Sequence, residues 1–337
     1  MEVILLVSLL ISLFLAVFFV PKWIKKCNIT GLLWEDMNKY HHPRAASSGG
    51  FIIVMSFILG VFYYVAIRTF IFEDTNGITT KIFALLSVIL ILAIVGLVDD
   101  LLGWKHGGLS VRFRIFLAFA ASVPLVVINP GIHIFNIPFF GDINFGIIYT
   151  LLFIPIGIAG ATTTYNFLAG FNGLEAGQGI IILSFLSFIA YITGSSWLSI
   201  IGFCMVFALI GFYIYNKYPA KVFPGDVLTY SVGALIACMA ILGNFEKIAV
   251  FVFIPYITET ILKLRGNLKK QSFAIPQKDG SLEMPYDKIY GVTHLSLFIL
   301  KKFKKKVYEK DVVYFIFSVQ IVICLLALII FRSVLFS

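Results

Sequence analysis

"AIVGLVDDLLG", residues 93–103, ends an apolar run on two adjacent aspartates, Asp99 and Asp100. Neighbouring carboxylates raise each other's pKa, and a low-dielectric surrounding raises it further. The pair therefore calls for positive charge close by. Whether the run before it crosses lipid decides what kind of protein this is. The chain has 337 residues, 60% hydrophobic and only 13% charged, against roughly 25% charged in soluble domains. A soluble fold of this length has too little interior for so much apolar surface, so lipid is the expected solvent. A span takes about 20 mostly apolar residues. Ten segments qualify: 3–20, 50–72, 82–98, 113–129, 146–165, 178–193, 197–215, 227–243, 247–264 and 312–335. The expected fold is an all-α polytopic membrane protein of about ten transmembrane helices, forming one integral-membrane domain over 1–337.

Charge orients the spans. The first lacks a basic leader and is followed by Lys22, Lys25 and Lys26, so it reads as a retained helix with an outer N-terminus. Ten spans then put the C-terminus outside as well. On this count 22 of the 26 lysines and arginines fall on inner loops, leaving Arg68, Lys81, Lys247 and Arg332 outside. The net charge of +9 is thus mostly positive-inside bias and does not point to nucleic acid. The four cysteines show neither a disulfide framework nor a metal spacing. Twelve of the 17 carboxylates also lie on inner loops. A transporter is expected to carry ionisable groups near mid-membrane, so clustering at one face suits an enzyme at the inner interface.

Three constellations could carry chemistry. Asp99 and Asp100, followed by "LLGWKHGGLSVRFR", could serve as base, metal ligand or phosphate-positioning groups. The alternative is a solvated helix end balanced by Lys105 or Arg112, which the negative C-terminal dipole disfavours. "TTTYNFLAGFNGLEAGQG" (162–179) sets Asn166 and Asn172 among glycines, then Glu175 and Gln178. Asparagine offers an oxygen to a hard cation and donors to a base or phosphate; a glycine-rich turn between two spans is the plainer reading. "YPAKVFPGDVLTY" (218–230) puts Asp226 at the start of a span, where capping alone would explain it, with Phe223 able to stack on a base. The loop "WEDMNKYHHPRAASSGG" (34–50) reads equally well as a solvated connection. The "FILKKFKKKVYEK" run (298–310) mixes apolar and basic residues like an interfacial helix. "NPGIHIFNIPFFGDINFG" (129–146), with His133, reads as an outer capping hairpin. His41, His42, His106 and His294 fit no paired metal spacing.

In order, Asp-Asp, Asn-x5-Asn-Gly-Leu-Glu-Ala-Gly-Gln and Phe-x-Gly-Asp on inner loops resemble the polyprenyl-phosphate N-acetylhexosamine-1-phosphate transferases, the glycosyltransferase 4 family. "DMNK" at 36–39, "NGLEAGQ" at 172–178 and "GSLEMPYDK" at 280–288 are most similar to its dolichyl-phosphate branch. The resemblance covers nearly the whole chain. It implies transfer of a sugar-1-phosphate, N-acetylglucosamine-1-phosphate first among the candidates, from a UDP-sugar to a polyprenyl (dolichyl) phosphate. UMP would be released, in the opening step of lipid-linked oligosaccharide synthesis for N-glycosylation. It implies Mg²⁺, with Mn²⁺ as the substitute, held by Asp226 and Asn166. Asn172 and Phe223 would hold the uracil beside Met37, and Glu175 belongs to the same substrate-binding loop. Asp99 and Asp100 would position or deprotonate the acceptor phosphate, with Arg114 as the basic residue for phosphate.

The chain departs from that pattern in its last inner loop, 265–311, the expected substrate-covering insertion. Where the dolichyl branch carries Arg-His-Arg, this chain has "LKKQS", leaving Arg265, Lys269 and Lys270 as the candidates for pyrophosphate and sugar. Lysine lacks arginine's bidentate fork. A glutamate of the first inner loop is replaced near Ser47 or Ser48. The competing readings are a polyprenyl-phosphate or nucleotide-sugar transporter, a glycosyltransferase releasing UDP, and a bacterial-type undecaprenyl-phosphate transferase. A cell membrane with a cytoplasmic site, in a prokaryotic and archaeal setting, suits the Ile/Lys/Phe-heavy composition; a homodimer is compatible with all of these.

Overall fold

The computed structural model describes residues 3–73, 77–131, 134–137 and 141–335. Seven of its helices are long and apolar enough to cross a membrane. They are α1 (Val3–Thr30), α2 (Gly50–Phe70), α3 (Ile78–His106), α7 (Leu174–Ile192), α8 (Ser196–Asn216), α9 (Gly225–Gly243) and α13 (Glu309–Ile330). The three other expected spans are covered by helices with a break. These are α4 (Val111–Ala121) with α5 (Val123–Val127), a π-helical turn (Tyr149–Phe153) leading into α6 (Ile154–Phe167), and α10 (Glu246–Val252) with α11 (Ile254–Arg265). Each break is followed by a proline in the first turn of the next helix: Pro124, Pro155 and Pro255. Proline has no N–H to continue the ladder, and the first turn of a helix accommodates it without losing a bond. The protein is an integral, multi-pass membrane protein.

In lipid an unpaired carbonyl is costly, so an interrupted ladder must be repaired locally. Pro21 lies inside α1 and cannot donate to the carbonyl of Val17. The Tyr215 hydroxyl of α8 donates to that carbonyl instead, at 3.4 Å. Helix contacts follow the same economy, because lipid gives no hydrophobic drive between helices and close packing must hold them. The main pairs are α7 on α8, α3 on α9, α1 on α8 and α6 on α9. At Gly96 of α3 a Cβ would sit 2.6 Å from the backbone of Asp226 and Val227 in α9. Only glycine fits there.

Short strands close the charged end. β1 (Leu33–Glu35) and β2 (Arg44–Ala46) pair antiparallel, Trp34 facing Ala45. A second small ribbon, β5 (Ile275–Pro276) with β6 (Leu282–Glu283), folds the last inner loop back before α12 (Val292–Lys301). β3 (Ile134–Ile137) and β4 (Gly141–Asn144) pair antiparallel within the stretch expected to form a capping hairpin; His133 and residues 138–140 lie outside the described residues. The remaining helix is the short α14 (Arg332–Leu335). All four cysteines are free and buried.

The boundaries matter for the site. α3 does not stop near 98 but continues to His106. Asp99 and Asp100 therefore stand on helix rather than at its frayed end, and their geometry is fixed by packing. Likewise α7 begins at Leu174, which moves Glu175 from a loop into the first helical turn.

Gly96→Leu should separate α3 from α9. Overpacking costs about 1–3 kcal/mol where side chains can yield, and here the obstacle is backbone. A lower thermal midpoint of the detergent-solubilised protein is expected; an unchanged midpoint would show the crossing to be loose.

Candidate active site

The C-terminal ends of α3 and α6 meet the N-terminal ends of α7 and α9 around a cavity of about 420 Å³. Asp99, Asp100, Arg114, Asn166, Glu175, Phe223, Asp226 and Met37 all line it. Residues from six stretches of the chain thus reach one chamber.

The two aspartates divide their tasks. Asp99, 5% exposed, accepts the Leu109 N–H at 2.6 Å and the Arg114 Nη1 at 2.8 Å. The same Nη1 lies 3.4 Å from Asp226 Oδ2, so one guanidinium spans both carboxylates. Asp100 instead accepts the Asp226 N–H at 2.7 Å and, at 3.5 Å, the Val227 N–H. It satisfies orphan donors at the start of α9, where anions are favoured. Gly225, just before, has φ of +72°, and a Cβ there would collide with the Asp100 carboxylate. The positive partner of Asp99 is Arg114; Arg112 is exposed, and the side chains of Lys105 and His106 lie outside the described residues.

Asn166 Oδ1 accepts the Thr229 hydroxyl at 3.0 Å, and that hydroxyl is also 3.2 Å from the Asp226 carbonyl. Glu175 accepts the Gly170 N–H at 2.8 Å and so fixes the α6–α7 loop. Phe223 is held from both sides by backbone: its N–H bonds to the Ala46 carbonyl at 2.7 Å and its carbonyl accepts the Gly49 N–H at 2.9 Å. Of the two serines, Ser47 faces the cavity.

Asn172 is buried behind this wall and does not line the chamber. Its Nδ2 donates to Asp36 at 3.0 Å and its Oδ1 accepts the Ala220 N–H at 2.7 Å. The three basic candidates of the last loop also stay off the lining. Lys270 lies over the rings of Tyr286 and Tyr290, 4.7 and 5.7 Å from their centroids, Arg265 lies 6.0 Å from the Tyr290 centroid, and Lys269 is exposed. The loop itself reaches the cavity through Phe273. It is pinned there by the Ala274 N–H, 3.0 Å from Asn38 Oδ1, and by His294, whose burial holds its imidazole below the usual pKa.

The sequence reading assigns no site role to Asp36, Asn38 or Lys39 of the "DMNK" stretch, nor to Thr229 and Glu309. Asp36 and Asn38 sit in a loop whose sequence suits a solvated connection equally well, yet they are 7% and 2% exposed. Glu309 follows a lysine run and gives no local signal at all.

Electrostatically the chamber is lopsided. Among the described residues six carboxylate side chains line it, from Glu35, Asp36, Asp99, Asp100, Glu175 and Asp226, against one guanidinium. No three His, Cys, Asp or Glu side chains among the described residues converge tightly enough to cage an ion by themselves. Mg²⁺ asks less, since one or two carboxylates suffice when waters and substrate phosphates complete its octahedron.

Asp100→Ala should destabilise the start of α9 by about 1–3 kcal/mol, the cost of leaving buried N–H groups unpaired. Asp100→Asn keeps an acceptor and should cost less. Equal thermal midpoints for the two variants would refute the capping role.

Comparison with known proteins gives the chain a family. Residues 82–244 match glycosyl transferase family 4. A Saccharolobus solfataricus protein is 35% identical over 96% of both chains; it is named, provisionally, UDP-N-acetylglucosamine–dolichyl-phosphate N-acetylglucosaminephosphotransferase. A Dictyostelium discoideum protein of that name is 27% identical over 78% of this chain and 69% of its own. A phospho-N-acetylmuramoyl-pentapeptide-transferase of a Wolbachia species is 30% identical over 63% of this chain and 64% of its own. With a relative this similar along nearly its whole length, the chain belongs to glycosyl transferase family 4.

Proposed function

We propose that the protein transfers N-acetylglucosamine-1-phosphate from UDP-N-acetylglucosamine to a dolichyl-type polyprenyl phosphate, releasing UMP. This would begin lipid-linked oligosaccharide synthesis for N-glycosylation. The observation that carries the reading is end-to-end similarity to a relative named for this reaction, on a chain whose acidic motifs converge on one cavity. The bacterial muramyl-pentapeptide branch matches a shorter share of the chain. The positive-inside bias favours the cytoplasmic face for the cavity.

Both reactants are anionic, so the work is alignment and charge neutralisation. Asp99, Asp100 and Asp226 crowd carboxylates around one guanidinium, and a divalent cation would offset them where phosphate must enter. Asp226 and Asn166 are the residues to hold Mg²⁺, which would supply Lewis-acid neutralisation of pyrophosphate oxygens when bound. Arg114 brings N–H donors to the same place for charge-assisted bonds to phosphate. Asp99, fixed by Leu109 and Arg114, positions the acceptor phosphate; a largely ionised phosphate needs little deprotonation. Phe223 and Met37 form the wall for the uracil.

The decisive experiment gives the purified protein Mg²⁺, dolichyl phosphate and UDP-N-acetylglucosamine labelled on the phosphate nearest the sugar. Label should enter the lipid fraction as UMP appears. Label retained in UDP, with sugar on the lipid, would make it a glycosyltransferase instead. Asp226→Ala should lower turnover at least about 100-fold, the scale of losing one electrostatic stabiliser, in protein that still folds. Near-normal turnover would remove Asp226 from the metal site.

A further inference from the structure

Every polar group of Asn172 that could face the cavity wall is used to assemble it. Its backbone N–H donates to Glu309 Oε1 at 2.6 Å, its Nδ2 to Asp36 Oδ2 at 3.0 Å, and its Oδ1 accepts from Ala220 at 2.7 Å. These partners come from the first inner loop, the α8–α9 loop and the first residue of α13. Lys39 closes the ring: its ammonium pairs with Glu309, lies 3.4 Å from Asp36 Oδ2 and sits 4.1 Å from the Tyr218 ring centroid. Glu309 is 2% exposed.

None of Asn172, Lys39 and Glu309 lines the cavity, but Asp36 does, and so do residues next to Asp36 and Asn172 and close to Ala220. Glu35 and Met37 flank Asp36, Phe171 precedes Asn172, and Phe223 follows Ala220 by three residues. No residue of α13 lines the cavity. A carboxylate buried this deeply is costly unless paired and hydrogen-bonded, and Glu309 meets both conditions only by reaching across to Lys39 and Asn172. Its anion also lies where the positive end of α13 favours it.

We propose that Glu309, held by Lys39, is a positioning residue for the nucleotide: it anchors Asn172, and through it sets the spacing of the Met37, Phe171 and Phe223 walls. The inference rests on the reading that this half of the cavity takes the uridine of the donor. Glu309 touches no substrate. The last membrane helix thereby controls donor affinity without entering the site, and the acceptor half, around Asp99 and Arg114, is independent of it.

The test uses the purified full chain, with UDP binding measured by calorimetry in the absence of acceptor and KM values measured for both substrates. Glu309→Gln keeps an acceptor for the Asn172 N–H but loses the charge that holds Lys39; Lys39→Met removes the other partner. Each should raise the UDP Kd and the donor KM about tenfold, the scale of one charged hydrogen bond. The kcat and acceptor KM should stay within about twofold, and the double variant should lose no more than the worse single, as coupled residues do. Lys310→Ala, which removes a second ammonium near Tyr218, should change nothing. Unaltered UDP affinity in both variants, a change in acceptor KM alone, or a fall in kcat at constant KM would overturn the proposal. Should Glu309→Gln fail to fold, Lys39→Arg restoring the affinity that Lys39→Met loses supports it, and equal affinities overturn it. Wild-type protein that binds no UDP would overturn the functional reading itself, which a failure of the variants alone leaves intact.

Discussion

The close crossing of α3 and α9 at Gly96 is the constraint on which the site depends. Without a side chain at that position the two backbones approach within van der Waals contact, and one turn later Asp100 reaches the first N–H groups of α9. That bond fixes Asp226 at the head of α9 opposite Asp99, with Arg114 between them. Carboxylates from residues more than a hundred positions apart are thus held together by packing and by a capped helix end. Lipid supplies the reason for such economy: it offers no water to satisfy an orphan N–H and no hydrophobic gain for bringing helices together.

The chemistry follows from the resulting imbalance. Glu35 and Asp36 have cations of their own in Arg44 and Lys39, which leaves Asp99, Asp100, Glu175 and Asp226 in the lining against one guanidinium, that of Arg114. The membrane adds the second half of the argument. A chamber formed by helix ends at one face can take a water-soluble nucleotide sugar from outside the lipid and a polyprenyl phosphate from within it. The breaks before Pro124, Pro155 and Pro255 fall in the α6 span and in the two broken spans packed against it.

The outer frame of the site is built by loops rather than helices. The first inner loop contributes Trp34 to Met37, the glycine-rich loop Gly170 and Phe171, and the α8–α9 loop Phe223 and Pro224. Two hydrogen bonds from backbone N–H groups to buried side chains hold them, Gly170 to Glu175 and Ala274 to Asn38, and a backbone pair joins Phe223 to Ala46. Loops so tethered behave as walls. Lys269, Lys270 and Arg265 belong to the part of the last loop that rests on Tyr286 and Tyr290 instead of on the cavity.

Membrane architecture, span order and charge bias were legible in the sequence because hydropathy and lysine placement are local properties that lipid acts on directly. The motif residues Asp99, Asp100, Asn166, Phe223 and Asp226 were legible as well, since acidic and amide side chains beside apolar spans are conspicuous. Helix ends were less so: α3 runs past its aspartates, where Asp99 meets Leu109 and Arg114 and Asp100 meets the start of α9, which no local pattern announces. Only the tertiary structure decided that Asn172 stands behind the cavity wall, that Asp36 and Asn38 are buried, and that Glu309 lies against Asn172 and Lys39. The reason is physical. Burial and pairing of a polar group depend on what distant segments bring to it, and Glu309 meets Asn172 across 137 positions of sequence.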